Sequence, residues 1–145
     1  MPNGLQTLTF GQDFNRSLDG ASFPKSLRTL TFGTEFNHSL DRASLPSGIQ
    51  TLTFGYDFNQ CLNGTSLPSS LQTLTFGRFF NRSLDGVTLP NGLKTLTCGE
   101  WFHQNLDGVN PPSSLRSFDG VTLPSSLQTL TFGADFAQSL DGVTL

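Results

Sequence analysis

The sequence predicts a mostly β solenoid: a single stack of 22-residue coils with one parallel sheet along its side and little or no helix. Three observations carry this. Proline recurs at positions 2, 24, 46, 68, 90 and 112, always 22 residues apart. Between the prolines one phrase returns, clearest from Pro68 to Leu89 as P-S-S-L-Q-T-L-T-F-G-R-F-F-N-R-S-L-D-G-V-T-L. Every unit is dotted with Gly, Pro, Ser and Thr, and no segment keeps a 3.6-residue period for ten residues, which argues against helix.

The phrase divides the chain into full coils at 2–23, 24–45, 46–67, 68–89 and 90–111, a twelve-residue remnant at 112–123, and a last full coil at 124–145. Residues 1–145 therefore form one domain, with no linker or charge run left over. A unit of 22 residues is too small to bury its own apolar face, so neighbouring units must stack. That period lies in the range of leucine-rich repeats. With the proline counted as first, the apolar columns are the fourth, seventh, ninth, thirteenth, seventeenth and twenty-second. In the coil 46–67 these are Ile49, Leu52, Phe54, Phe58, Leu62 and Leu67.

The strand is T-L-T-F. It alternates polar and apolar residues, is β-branched and aromatic, and stops at Gly. Copies from successive coils are expected to pair in parallel about 4.8 Å apart, with Leu and Phe inward and both Thr outward. A second short strand or extended stretch is expected through F-N-x-S-L. Asp-Gly at 19–20, 85–86, 107–108, 119–120 and 141–142, and Asn63-Gly64, predict tight turns with positive φ at Gly. Arg42 breaks this series, so its turn is expected to be looser or of another type. Leu-Pro-Ser-Ser forms a corner, because Pro fixes φ and holds the preceding residue extended.

Composition narrows the function. Eight basic residues face eleven acidic ones, a net charge of −3, so no basic stripe is available for phosphates and nucleic acid is not an expected partner. No apolar run approaches 18 residues, so no membrane helix is expected. The opening residues lack a basic and apolar leader, which makes the cytoplasm the expected location. Two Cys are too few for a disulfide framework. Fourteen Phe against one Tyr and one Trp point to copying of one unit.

The phrase L-P-x-x-L-x-x-L-x-F-G-x-x-F-N closely resembles the FNIP repeat, of the leucine-rich-repeat group. Leu67-Pro68, Leu71, Leu74, Phe76, Gly77, Phe80 and Asn81 match it in order, and the match extends through six of the seven units. One departure is that Arg82-Ser83-Leu84 stands where the family name has Ile-Pro. The resemblance implies a repeat scaffold used for interactions, and it brings no catalytic residues.

Candidate sites follow the columns. Asn15, Asn37, Asn59 and Asn81 are read as an inward ladder that satisfies turn amides. The sequons at Asn15, Asn37, Asn63 and Asn81 are read as accidental. Asp19, Asp41, Asp85, Asp107 and Asp141, with Asp13, Glu35, Asp57 and Asp135, serve the turns; the calcium-binding nonapeptide signature is missing. Cys61 and Cys98 lie two coils apart, beyond disulfide reach, and Cys98 replaces a core Phe. His38 and His103 lie three coils apart, too far for a shared metal. No metal, cofactor or catalytic constellation is expected, and the protein is read as a non-enzyme.

Two surfaces remain. The first is the strand face, where Thr7, Thr9, Thr29, Thr31, Thr51, Thr53, Thr73, Thr75, Thr95, Thr97, Thr129 and Thr131 form two columns, flanked by Gln6, Arg28, Gln50, Gln72, Lys94 and Gln128. The second is the rim just after the glycine, where Gln12, Thr34, Tyr56, Arg78, Glu100 and Ala134 vary from coil to coil, with Phe79 and Trp101 beside them as exposed anchors. The expected function is a non-catalytic scaffold that binds a protein, of unknown identity, through the strand face and this rim. The alternative is ice binding through the T-x-T columns, whose methyls and hydroxyls would order a water lattice on a flat sheet. The remnant 112–123 lacks the T-L-T-F-G strand, so a break in the ladder is expected there. The ends carry no polar caps, which predicts end-to-end self-association or a longer array.

Overall fold

The structure, a computed structural model, describes residues 4–84, 86–102 and 123–137. It contains six three-residue strands: β1 (Thr7–Thr9), β2 (Thr29–Thr31), β3 (Thr51–Thr53), β4 (Thr73–Thr75), β5 (Thr95–Thr97) and β6 (Thr129–Thr131). They form one parallel sheet in chain order, and the described residues contain no helix. Register is in phase throughout: Thr29 pairs with Thr51, Leu30 with Leu52 and Thr31 with Thr53, and every other pair of strands repeats this. Like therefore sits beside like in every column. The central Leu of the four inner strands is fully buried, while the Thr on either side stay half-exposed.

The core is built by stacking. Phe10, Phe32, Phe54 and Phe76 in the ninth column lie nearly parallel, with centroids 5.4 to 5.5 Å apart. The thirteenth column, Phe14, Phe36, Phe58, Phe80 and Phe102, has spacings of 5.8 to 6.1 Å. Within each coil that carries both rings they face each other at 3.8 to 4.1 Å, and among the full coils only the one with Cys98 lacks the pair. Such pairs contribute about 0.5–1.5 kcal/mol each beyond the area they bury. Five of the six apolar columns are buried in the inner coils. The twenty-second is mixed, with Leu45 and Leu67 half-buried and Leu89 buried. The twentieth column adds Val87 to the core and Ala43 beside it.

Glycine in the tenth column lets the coils come together. A Cβ on Gly55 would overlap the Gly33 carbonyl, one on Gly77 the Gly55 carbonyl, and one on Gly99 the Gly77 carbonyl. Positive φ belongs to another glycine column: Gly20 (71°), Gly64 (81°) and Gly86 (73°). In these turns the amide three residues on closes back, as Thr65 N–H does to the Leu62 carbonyl at 2.9 Å. At Arg42 the same closure persists, Ala43 N–H to Leu40 carbonyl at 3.1 Å, but no non-glycine residue has positive φ. This turn is of another type, not looser. The proline corners close likewise, with Leu71 N–H donating to the Pro68 carbonyl at 3.0 Å.

Two expectations are corrected. The F-N-x-S-L segment forms no second strand among the described residues. Its coils are joined through side chains instead, with Asn15, Asn37 and Asn59 Oδ1 accepting the backbone N–H of Asn37, Asn59 and Asn81 at 2.9 to 3.0 Å. The ladder also does not break after β5. Thr95, Leu96 and Thr97 pair directly with Thr129, Leu130 and Thr131, and Gln128 N–H donates to the Lys94 carbonyl at 2.8 Å. β6 therefore follows β5 directly in the sheet. Apart from Leu123, the remnant 112–123 itself lies outside the described residues.

Candidate functional site

The sheet presents the Thr columns. The outward position of each Thr follows from strand alternation, and the fixed register aligns six T-x-T rows. No strand Thr hydroxyl makes a hydrogen bond to the described protein. The fifth column beside them supplies carbonyls: the carbonyl of Gln50 accepts both Gln72 N–H at 2.8 Å and Thr73 N–H at 3.0 Å. Arg28 is turned aside, its Nη1 donating to the Lys25 and Leu27 carbonyls at 3.0 and 3.1 Å.

The rim begins where the glycine column bends the chain away from the sheet. Here the amide of the twelfth residue donates to the carbonyl of the eleventh residue one coil earlier. Glu35 reaches Gln12, Asp57 reaches Thr34, Phe79 reaches Tyr56 and Trp101 reaches Arg78, all at 2.9 to 3.0 Å. The pairing sets the eleventh side chain of one coil against the twelfth of the next. Tyr56 therefore meets Phe79 edge-on at 6.2 Å, and Phe79 meets Trp101 edge-on at 4.9 Å. The Arg78 guanidinium lies 5.9 Å from the Tyr56 ring centre and pairs with Glu100, Nε to Oε2, at 2.8 Å. Tyr56 and Trp101 are 50 % and 48 % exposed, the only large apolar side chains so open among the described residues. Phe79, expected to be an exposed anchor, is half-buried because its two aromatic neighbours cover it.

The sequence thus marked five rim residues, Tyr56, Arg78, Phe79, Glu100 and Trp101, and the structure brings them into one cluster. A shallow groove of about 360 Å³ runs over the glycine column between this cluster and the sheet. It is lined by Tyr56, Arg78 and Glu100, with Gly55, Gly77, Gly99 and Thr131 at its floor and far side. The opposite edge has two depressions of about 590 and 620 Å³. Among the described residues the first has no titratable lining residue and the second has only Lys25 and Arg42.

The Asn ladder is present but half-buried at Asn37, Asn59 and Asn81 and exposed at Asn15, not sunk in the core. The Asn37 Oδ1 also accepts from Gln60 Nε2 at 3.0 Å. The sequence reading missed the serine latch of the third column: Ser26 Oγ donates to the Leu5 carbonyl at 2.7 Å, and Ser70 Oγ to those of Ser47 and Ile49 at 2.6 and 2.7 Å. Its signal was the repeated Ser two residues after Pro. Cys61 is exposed and Cys98 buried, both as free thiols. Burial pushes the Cys98 thiol up to about 12. No group of three His, Cys, Asp or Glu residues suited to a metal occurs among the described residues; His103 lies outside them.

A parallel sheet of identical short strands, joined through glycine bends and proline corners in 22-residue coils, defines a leucine-rich-repeat solenoid. Within that class the chain belongs to the FNIP repeat family: the family model, described as FNIP Repeat, matches residues 1–35 and 36–79. Among solved structures it is similar to the crystal structure of CroV588, described as a novel circular LRR protein structure, at 33 % identity and a TM-score of 0.62. That match covers 96 % of this chain and 22 % of the other, so the chain spans under a quarter of the length of CroV588. No curated protein matches it. The repeat family and solenoid fold are consistent with a non-catalytic scaffold.

Proposed function

We propose that this protein is a non-catalytic scaffold that binds another protein through its strand face and the adjoining rim. The rim cluster carries the reading. Its two most exposed large apolar side chains, Tyr56 and Trp101, stand on a hydrogen-bonded ladder, joined through Phe79. Aromatic anchors on a rigid frame are the usual centres of binding energy at protein interfaces. The net charge of −3 favours a protein over a nucleic acid. The two free thiols support a reducing compartment such as the cytoplasm. In-cell crosslinking followed by purification tests the proposal. A partner held by the wild type should be lost with Trp101→Ala or with Thr53→Lys/Thr75→Lys; a captured set unchanged by both variants refutes it.

A second reading rests on one observation, the unbroken six-row Thr array whose hydroxyls have no partner in the described protein. Such a surface would order water and bind ice. It predicts thermal hysteresis that disappears in Thr53→Lys/Thr75→Lys; ice growth unaffected by the wild-type protein eliminates it.

A further inference from the structure

We infer that the rim is a docking strip for an extended basic segment of a partner protein, with cationic side chains over an acidic column and apolar side chains over the aromatic cluster. The inference rests on the protein-binding reading above and narrows the partner. In the twelfth column, consecutive coils carry Asp13, Glu35, Asp57, Phe79 and Trp101. The amide ladder described above fixes the last four one coil apart. The strip is therefore acidic in its first three coils and aromatic in the next two.

Charge identifies the occupant. The only ion pair among the described residues is Arg78–Glu100, so Asp13, Glu35 and Asp57 have no cationic partner there. Arg78 is committed to Glu100 and the Tyr56 ring. The cations on the same edge are Arg16 and Arg82, three positions further along their coils, and Arg82 directs Nε to the Asn59 carbonyl at 2.9 Å. Three uncompensated carboxylates favour lysine or arginine and repel phosphates, which disfavours nucleic acids and anionic membranes. The aromatic end offers the open rings of Tyr56 and Trp101 to apolar groups, and to cations over their faces. Asp13 to Trp101 is four coil steps, about 19 Å at the usual strand spacing of about 4.8 Å. An extended peptide covers that in about six residues, with alternate side chains facing the strip.

Trp101 is the only tryptophan, so its fluorescence reads the strip directly. The probe is a synthetic heptapeptide with two arginines and then two leucines, separated by serines; the control has glutamates for the arginines. At low salt the basic peptide should blue-shift the emission and saturate below about 1 mM. Affinity should fall about tenfold or more in about 0.5 M salt, and by a similar factor in Glu35→Lys/Asp57→Lys, a variant that keeps Trp101. Ser69→Lys, at an exposed proline corner on the opposite edge, should bind the peptide as the wild type does. No saturable shift, an equal response to the acidic peptide, or unchanged affinity in the Glu35/Asp57 variant overturns the inference. A dimer of this chain that is lost in Trp101→Ser assigns the strip to a second copy and overturns it too. If the peptide fails while a crosslinked partner still depends on Thr53 and Thr75, the scaffold reading survives and only the strip falls. Loss of both responses removes both.

Discussion

Gly77 shows how tightly a single position is specified. Its neighbour in the next coil down presents the Gly55 carbonyl where a side chain would begin, so the contact is backbone on backbone and cannot be relieved by a rotamer change. Gly77→Ala should destabilise the protein by about 2–4 kcal/mol, within the range of overpacking and strain at a rigid contact. Urea unfolding would measure it. Gly4, which has open space around its Cα, is the control and should be near neutral. The recurrence of Gly after T-L-T-F was visible in the sequence, but only as the end of a strand. That the glycine also admits the next coil's carbonyl needed coordinates, because close approach is a property of the stack, not of the unit.

Cys98 gives a pH signature at the same scale. Burial raises its pKa from 9.0 to about 12, so the folded protein keeps a proton that the unfolded chain releases. Between those values the unfolded state binds fewer protons, and stability must fall as pH rises. The loss is about 1.4 kcal/mol per pH unit, beginning near pH 9 and ending near the folded value. Cys98→Val should remove this component, leaving a shallower alkaline slope in denaturant titrations. Equal slopes in the two proteins would mean that the thiol is not desolvated.

At the scale of the element, three different devices hold coil to coil. The sheet supplies backbone pairing at every junction, and the Asn ladder supplies a side-chain acceptor for the amides of Asn37, Asn59 and Asn81. The Ser latch ties the proline corner at Ser26, Ser70 and Ser126, where the third column is Ser instead of Gly. Asn59 serves the Asn81 amide at 2.9 Å and lends its own carbonyl to Arg82. Asn59→Ala leaves that amide without its acceptor in a half-buried setting, a loss of about 1–2 kcal/mol. Asn15→Ala, at the exposed first rung, should cost less than half as much. Thermal unfolding of the two variants decides this.

The strand and both turn types were legible because their signals are local: T-L-T-F alternates, and Asp-Gly requires a left-handed residue. The absence of a second strand was not legible. F-N-x-S-L has the composition of an extended segment, and only its geometry shows that Asn Oδ1 replaces a backbone carbonyl as the linking acceptor. The rim cluster was half-legible. Tyr56, Phe79 and Trp101 were marked by departing from their columns, but the covering of Phe79 depends on the one-coil offset between the eleventh and twelfth positions.

For the molecule as a whole, the decisive property is the continuity of the columns. Leu stacks on Leu and Phe on Phe because a 22-residue copy returns every side chain to the same place, and each copy buries the face its neighbour leaves open. Cys98 interrupts the ninth Phe column without interrupting the sheet, since the thirteenth column continues from Phe102 to Phe136 at 6.2 Å. The shortened unit at 112–123 was expected to stop the ladder because it lacks a strand of its own. Direct pairing of β5 with β6 shows otherwise: the sheet closes in register between Thr95–Thr97 and Thr129–Thr131.

That closure is most directly tested by disulfide trapping between β5 and β6. Thr97 and Thr131 are register partners, and adjacent strands lie about 4.8 Å apart, within the reach of a disulfide. In a background with both native cysteines replaced by serine, Thr97→Cys/Thr131→Cys should crosslink nearly completely under mild oxidation, detected as a mobility shift on denaturing gels. Thr97→Cys/Ser117→Cys should not. A crosslink to position 117, with none to 131, would place the short unit inside the sheet and contradict the in-register stack.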